Sequence, residues 1–335
     1  MADRASSSST PRRDWIAIAV ILVALAALPT VATALGQPFA IKVGSRLVIF
    51  AIAAVGLNIV LGFGGMVSLL HAGLFGVGGY VVGILSWHDF NGEALHLGPL
   101  VINGTGNLLI SLPLAAVFGA ATAAVMGVVS LRTSGAYFIM ITLAFNQMLY
   151  YLGVALQKYG GEDGLQIMGD LSLAGFDPSK RLVYFYMSLT VLAVVLILTQ
   201  RLVGSRFGMV LRASAQNERR VKALGIPPIR YRLAAFIISG AIAALAGGLA
   251  ASGLQFISPS DMSWVRSGDL LVMCVLGGLS TVWGPVLGAS VFILLELGLS
   301  SFTNAWQLPF GLIVIGMAVW LHDGLIGLAR KWVRA

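Results

Sequence analysis

The stretch RLVGSRFGMVLRASAQNERRVKALGIPPIRYR, residues 201–232, is the one long, strongly basic polar segment of this chain. It holds eight of the chain's 21 Lys and Arg residues, and apolar runs long enough to cross a bilayer flank it on both sides. Because short loops rich in Lys and Arg stay on the cytoplasmic face of a membrane, this segment fixes the predicted orientation. A connection between two helices needs far fewer residues, so we expect another molecule on that face to bind the segment.

The composition indicates a protein that lipid surrounds. Of the 335 residues, 58% are hydrophobic and 10% are charged, whereas a soluble domain is about 25% charged. One globular core cannot bury so much apolar surface. The net charge of +8 lies mainly at the ends of apolar runs, which is typical of membrane topology and argues against a nucleic-acid partner.

The chain is therefore predicted to be an all-α polytopic membrane protein with about ten transmembrane or re-entrant helices. A bilayer core of about 30 Å needs about 20 apolar residues per helix. On this measure the membrane segments are 15–35, 46–62, 66–86, 108–131, 134–156, 182–203, 233–255, 268–283, 285–303 and 308–328. The glycine-rich segment 66–86 and the stretch 268–303, which Trp283-Gly284-Pro285 divides, are candidates for broken or re-entrant helices.

The ends of the chain complete the predicted organisation. Residues 1–14 are polar and basic and are predicted to form a disordered tail. The apolar run that follows suits an uncleaved first helix better than a signal peptide, so residues 15–335 form a single transmembrane domain. With ten passes, both termini and the loop at about 204–232 lie in the cytoplasm, which agrees with the distribution of Lys and Arg.

The basic loop itself has a helical pattern. Its central part, GMVLRASAQNERRVKAL (208–224), mixes apolar residues with Arg, Gln, Asn and Glu, and Gly225 and two prolines follow it. Glycine is the natural residue just past a helix end, and proline cannot continue a helix. We expect two short amphipathic helices along the membrane surface. The residues alone leave two interpretations open: contact with anionic lipid headgroups, or docking of a cytosolic motor.

The sequence lacks the motifs of several functional classes. The chain has no G-x-x-x-x-G-K-[ST] motif for ATP, its single cysteine is Cys274, and no His, Cys and carboxylate cluster has metal-ligand spacing. Glu296 is the one clear carboxylate within a span, and we expect it to have a structural partner or to reach the interface. Arg266 and Asp269 are interpreted as an interface anchor. Energy for any transport must therefore come from another chain.

Several stretches resemble one known family in their order and spacing. They include LNIVLGFGGMVSLLHAGLFGVGGY (57–80), RTSGAYFIMITLAFNQMLYY (132–151), LRASAQNERRVKALGI (211–226) and VLGGLSTVWGPVLGA (275–289). The chain is similar to the branched-chain amino-acid ABC transporter permeases, the LivM/LivH family, and most similar to the LivM type. In the coupling motif of such importers, Glu218 and Gly225 can be matched, although Arg and Val replace the alanines that usually follow the glutamate.

The resemblance implies a permease domain and a set of partners. The partners are a homologous second permease, two cytosolic ATP-binding subunits that carry the ATP and Mg²⁺, and a periplasmic substrate-binding protein. The resemblance also implies that the protein lies in the bacterial inner membrane. It implies that this chain itself holds no cofactor and is not an enzyme. The predicted ATPase-coupling residues are Gly208, Arg212, Glu218, Arg219, Arg220, Leu224 and Gly225.

Polar side chains within apolar spans are the candidates for the translocation path. They are Asn58, Ser68 and His71 around the third segment, and Tyr137, Thr142, Asn146 and Gln147 on the fifth. In membrane helices, Asn and Gln more often hold helices together than contact substrate. We expect His71 in turn to be a packed, hydrogen-bonded histidine.

Substrate and transport class stay open at this stage. Branched-chain amino acids are the family's main ligands, but urea, short amides and aromatic acids are alternatives. A stand-alone channel or facilitator would need no docking loop, and a membrane enzyme would need a reactive group of side chains within its spans, which the sequence does not show.

Overall fold

The computed structural model describes residues 11–34, 36, 39–97, 100–168, 172, 181–279, 281–302 and 305–320. Most of this part of the chain is helical. The helices are α1 Pro11–Ala34, α2 Phe39–Asn58, α3 His71–Asn91, α4 Leu108–Ser130, α5 Ala136–Ala155, α6 Arg181–Gly204, α7 Arg206–Gln216, α8 Glu218–Ala223, α9 Pro228–Leu254, α10 Trp264–Gly277, α11 Gly284–Ser300 and α12 Gln307–Trp320. A π-helical turn, Ile59–Phe63, continues α2.

The helices agree with a polytopic membrane protein. Each of the ten predicted segments coincides with a helix, although the last eight residues of the segment 308–328 lie outside the described residues. Six helices are long and apolar enough to cross a membrane: α1, α2 with its π turn, α4, α5, α6 and α9. The shorter apolar helices are α11 and Gln307–Met317 of α12.

Some predicted boundaries were wrong. Helix α1 begins at Pro11, so residues 11–14 are helical rather than disordered, and residues 1–10 lie outside the described part. Helix α2 begins at Phe39 rather than at residue 46, because a helix can continue past the apolar span and carry Lys42 and Arg46 in its first turns. Helix α3 runs from 71 to 91 rather than from 66 to 86.

Short strands also qualify the all-α prediction. Strand β1, Ala94–Leu97, pairs antiparallel with β2, Leu100–Asn103. Strand β3, Leu165–Gln166, pairs antiparallel with β4, Phe256–Ile257, just after the end of α9. These strands lie in the connections that follow α3, α5 and α9, where the apolar runs end.

Small residues bring α3, α4 and α9 into close contact at the centre of the bundle. A Cβ atom at Gly78 would overlap the backbone of Ala244, and one at Gly247 would overlap the carbonyl of Phe75. A Cβ at Gly119 would overlap the side chain of Ala244. Because lipid supplies no hydrophobic drive between helices, such close backbone packing is a main source of their association.

The bundle has two ends that matter for function. Helices α2 and α6 begin at one end, where Gly44 approaches the Phe185 ring, and α9 finishes there beside Tyr184. We call this the cavity end. Helix α6 finishes and α9 begins at the opposite end, which α7 and α8 connect. We call this the loop end.

Two interruptions predicted from glycine and proline are present. Residues 64–70 between the π turn and α3 are not helical. Helix α10 stops at Gly277, Gly278 has φ +107°, and α11 begins at Gly284 with Pro285 in its first turn. Proline suits that position because its missing N–H would have no helical partner there.

Candidate functional site

At the loop end, α7 and α8 lie against the bundle with their apolar side inward. Gly208, Leu211, Ser214 and Val221 are buried. Of the predicted coupling residues, Gly208 is thus buried and Glu218 is half-buried. The other five are exposed, and Leu224 is 73% exposed: Arg212, Arg219, Arg220, Leu224 and Gly225. The two short amphipathic helices predicted from the sequence are therefore confirmed, with a row of cations on their outer side.

Ion pairs attach this hairpin of helices to α9. The Glu218 carboxylate contacts Lys222 Nζ and Arg232 Nη1, each at 2.7 Å. Arg232 also donates a hydrogen bond from Nη2 to the Ser214 carbonyl at 2.8 Å. The hydrogen bond from Lys222, followed by the charge of Arg232, lowers the pKa of Glu218. Glu218 therefore joins α8 to α9 rather than projecting into solvent.

Local sequence explains the two ends of α8. The Asn217 side chain accepts a hydrogen bond from the Arg220 N–H at 3.0 Å and caps α8. Gly225 has φ +79°, the left-handed conformation that ends a helix and favours glycine. Gly208 is required for another reason, because a Cβ there would overlap the backbone of Val203.

The inner side of α7 also reaches the interruption between α2 and α3. Helix α7 contacts the π turn Ile59–Phe63. Gly65, with φ +65°, lies directly beside Ala215, and a Cβ built on Gly65 would come within 3.1 Å of the Ala215 Cβ. A displacement of α7 would therefore press on the non-helical residues 64–70.

Polar side chains from α5 and α10 bind the start of α3. The first N–H groups of a helix have no partner within the helix, and at membrane depth they require one from neighbouring protein. The Leu69 N–H donates to Thr142 Oγ1 at 3.2 Å, and the Gly73 N–H donates to Asn146 Oδ1 at 2.7 Å. The Ala72 N–H donates to Ser267 Oγ at 3.0 Å.

Two buried polar side chains near this junction keep an acceptor without a partner among the described residues. His71 Nε2 lies 2.7 Å from Ser239 Oγ, which donates to the Gly56 carbonyl at 2.6 Å. Ser239 therefore accepts from His71, which assigns the proton to Nε2 and leaves Nδ1 unpaired. Asn58 donates to the Thr281 carbonyl at 2.9 Å, and its Oδ1 has no partner.

The structure thus separates the predicted path residues into two groups. Asn58, Ser68, His71, Thr142 and Asn146 are buried around the interruption between α2 and α3. Tyr137 and Gln147 are not part of that group. Tyr137 is 73% exposed on the outer side of α5, and Gln147 is half-buried.

At the cavity end lies a cavity of about 620 Å³ between α2, α3, α6, α9, α10 and α11. Its lining combines aromatic walls, among them Phe39, Phe50, Phe75 and Phe256, with charged groups from separate elements. The charged lining residues are Lys42, Arg46, Arg181, Asp261 and Arg266. The predicted path residues do not line it.

The charges in and behind this cavity form a connected cluster. Arg46 Nη2 contacts both carboxylate oxygens of Glu296, at 2.8 and 2.9 Å. Arg266 lies 4.0 Å from Asp261 and 3.7 Å from Asp269. The guanidinium groups of Arg46 and Arg266 lie 5.7 and 5.8 Å from the centre of the Phe50 ring, an arrangement that stabilises both cations.

Sequence reasoning did not identify this cavity, although it singled out parts of it. Glu296 was expected to have a structural partner or to reach the interface, and Arg46 is its partner. Arg266 and Asp269 were expected to pair, and they do. One sequence feature could have linked these residues, because the same predicted face of the membrane carries Lys42, Arg46, Arg181 and Arg266. Within the described ranges, no three His, Cys or carboxylate side chains could hold a metal ion.

Comparison with known proteins identifies a family that matches the chain. A family model described as the permease component of the branched-chain amino acid transport system matches residues 39–327. The match thus covers α2 to α11 and the described part of α12, including the hairpin at the loop end and the cavity.

Individual relatives carry related names. The high-affinity branched-chain amino acid transport system permease protein LivM of Salmonella typhimurium is 25% identical over 98% of this chain and 79% of its own length. LivM of Escherichia coli gives the same identity and coverage. A probable LivH of Methanocaldococcus jannaschii is 30% identical over 45% of each chain. No solved structure matches the chain.

Proposed function

The chain belongs to the family of branched-chain amino acid transport permease components, and we propose that it is the membrane subunit of an importer driven by ATP hydrolysis on separate subunits. The observation that carries this proposal is the α7–α8 hairpin at the loop end. Its buried residues fix it to the bundle, while Arg212, Arg219 and Arg220 are free to meet a partner.

The proposed partners follow from the family and from this surface. Two ATP-binding subunits would bind the hairpin from the cytoplasm, and a second homologous permease would complete the membrane unit. Relatives of both the LivM and LivH types support a pair of permeases. A periplasmic binding protein would deliver substrate at the cavity end. In this orientation the termini are cytoplasmic and the membrane is the bacterial inner membrane.

The contacts of the hairpin support a mechanism of alternating access. Closure of the ATP-binding subunits would displace α7, which contacts the π turn and lies beside Gly65. The start of α3 is bound to α5 through Thr142 and Asn146. Force applied at the hairpin would therefore move α3 and α5 together. Such a movement would expose Asn58 and His71. Their unpaired acceptor atoms, Oδ1 and Nδ1, would then accept hydrogen bonds from water or a ligand.

The substrate class we propose is the branched-chain amino acids, which the names of the LivM relatives specify for those proteins. Other relatives are named as permeases for autoinducer 2, so family membership alone does not fix the substrate. Urea, short amides and aromatic acids are alternatives that uptake competition would distinguish.

The double substitution Arg219→Glu and Arg220→Glu tests the coupling surface. Both side chains are exposed and neither has an ion-pair partner among the described residues, so the bundle should fold normally. We expect the ATP-binding subunits to be lost from the purified complex and ATP-dependent uptake into vesicles to fall at least about tenfold, which corresponds to about 1.4 kcal/mol.

Arg132→Glu is the matched control, because Arg132 is exposed in the turn between α4 and α5 at the loop end. It should retain the ATP-binding subunits. Equal loss of the ATP-binding subunits in both variants would mean that the effect comes from the change in net charge rather than from this surface. Uptake that persists in vesicles without ATP-binding subunits would instead favour a stand-alone facilitator.

A further inference from the structure

The non-helical segment between α2 and α3, residues 64–70, runs into the depth of the bundle. At its start, Gly65 lies beside Ala215 at the loop end. Near its other end, the Leu69 N–H donates to Thr142 Oγ1. Thr142 lies almost two turns into α5, which begins at the loop end, and this corresponds to a rise of about 9 Å. The segment therefore places irregular backbone at membrane depth.

Exposure alternates along this segment as it does along a strand. Every second residue is accessible: Gly65 is exposed, and Val67 and Leu69 are half-buried. The residues between them are buried: Met66, Ser68 and Leu70. Extended backbone directs successive side chains to opposite sides, so one side of the segment packs on the bundle and the other faces outward. We call Gly65, Val67 and Leu69 the outer row.

The backbone of the outer row carries polar groups without a partner. Neither the N–H nor the carbonyl of Gly65 or Val67 makes a hydrogen bond within the part of the chain that the structure describes. At membrane depth such backbone is tolerated only where protein covers it or where it lines a water-filled cavity. Lipid tails offer no hydrogen bonds, and leaving these groups unpaired in hydrocarbon carries a large desolvation cost. The outer row therefore does not face lipid.

Water suits these groups better than a covering protein does. A neighbouring strand would need a continuous edge to pair with, but Leu69 already donates to Thr142, and its carbonyl accepts from Ser267 Oγ at 2.6 Å. Water needs no regular edge. The exposed Gly65 at the loop end also gives water a direct entrance to the segment.

We propose that the outer row lines a water-filled passage that opens at the loop end and extends to Leu69. The passage would be the inner half of the translocation path, so the proposal rests on the importer function. Its lining differs from the polar side chains that the sequence suggested, because Val67 and Leu69 supply apolar side chains and the backbone supplies the hydrogen-bonding groups. Since the outer row carries no charge, solutes would be held there through water and backbone rather than by ion pairs.

Substituted cysteines test whether water reaches the outer row. The full complex in phosphatidylcholine nanodiscs is treated with a water-soluble, positively charged methanethiosulfonate, and modification is followed by mass spectrometry. Because only the thiolate reacts and hydrocarbon keeps a thiol protonated, Val67→Cys and Leu69→Cys should react at least about tenfold faster than the lipid-facing control Val125→Cys. The unaltered protein gives the background, since its single cysteine, Cys274, is buried.

Val125→Cys is matched in residue type, exposure and depth. Val125 is 71% exposed on α4, and it lies five residues before the end of that helix, about 8 Å from the loop end. Modification of both outer-row cysteines at the slow rate of Val125→Cys would overturn the proposal, because lipid or protein would then cover the segment. Rapid modification of Val67→Cys alone would also contradict it, because water would stop short of Leu69.

Uptake before and after modification tests whether the passage belongs to the path. A bulky group on Val67→Cys should remove most of the ATP-dependent uptake. Arg132→Cys is the control for modification itself, because Arg132 is exposed in the turn between α4 and α5. It should react quickly and keep its uptake. If modified Val67→Cys transported as well as modified Arg132→Cys, the outer row would not line the path.

The same preparations separate this proposal from the importer function. A complex that retains the ATP-binding subunits and imports, but whose outer-row cysteines stay unmodified, would contradict the passage and leave the importer function intact. An unaltered complex without ATP-dependent uptake would contradict the importer function, whatever the rates of modification.

Discussion

The loop end and the cavity end are both rich in charge, but they are built in different ways. At the loop end the charged residues are contiguous in sequence, and most of them are exposed on α7 and α8. At the cavity end they come from distant positions: the Arg46–Glu296 pair joins residues 250 apart in sequence. The first arrangement suits a surface for a protein partner, whereas the second lines a partly enclosed cavity.

The close contact of α3 with α9 links the two ends, so the largest expected effect comes from breaking it. Gly247→Ala would place a methyl group on the Phe75 carbonyl, and backbone cannot move aside as a side chain can. We expect a loss of about 3 kcal/mol or failure to assemble, with retention of the ATP-binding subunits lost. Thermal unfolding in detergent and size-exclusion profiles measure this.

Gly298→Ala is the control for that change, because a Cβ at Gly298 in α11 meets nothing within 4 Å. It should leave the melting temperature unchanged or raise it slightly, since alanine favours helix more than glycine does. If Gly247→Ala were as stable as Gly298→Ala, the close approach of α3 and α9 would be wrong.

The difference between the ends explains what sequence could predict. The α7–α8 hairpin was predicted correctly because its signals are local: an apolar and polar alternation, a glycine just past α8 and two prolines. For the same reason, glycine and proline predicted a break within 66–86 and another at Trp283-Gly284-Pro285. The helices end a few residues before these positions, at Phe63 and Gly277. The start of α2 at Phe39 was missed, because Lys42 and Arg46 end the apolar run but not the helix.

The cavity could not be predicted, because its chemistry depends on which distant helices are neighbours. Lys42, Arg181 and Arg266 looked like ordinary cations at the ends of spans. Similarly, Thr142 and Asn146 were recognised as polar, but only the structure shows that they bind the N–H groups of Leu69 and Gly73. Tyr137 has the same polarity in sequence and faces outward instead.

At the cavity end, Glu296→Gln tests whether the inner charge cluster is a unit. Arg46 would keep a half-buried charge without a full partner, so we expect a loss of about 2 kcal/mol of stability. This loss is below the usual cost of breaking a fully buried pair, because the Arg46 side chain is 36% exposed. The double substitution with Arg46→Gln should recover part of that loss. Chemical unfolding measures both, and strictly additive losses would exclude the pairing.

At the loop end, Gly65→Ala tests transmission from α7 to α3. The left-handed backbone costs an alanine about 1 kcal/mol, and the new methyl group would also come within 3.1 Å of Ala215. Gly36→Ala is the matched control, with φ +67° and open space around it. Both should lose similar stability, but only Gly65→Ala should reduce leucine-stimulated ATP hydrolysis. Equal hydrolysis in the two variants would exclude contact through Gly65 as the route.

The smallest expected effect concerns pH at the loop end. Because the folded-state pKa of Glu218 is lowered, first by the hydrogen bond from Lys222, its ion pairs stabilise the hairpin at pH values above the ordinary carboxyl pKa of about 4.3. That contribution is lost as the pH falls through the lowered pKa. Glu218→Gln should therefore increase amide hydrogen exchange in residues 206–224 near pH 7 but match the unaltered protein under acid conditions. Glu218 joins α8 to α9 through Arg232. Because glutamine has nearly the shape of a protonated glutamate, a difference that persists in acid would exclude the charge of Glu218 as the cause of the protection.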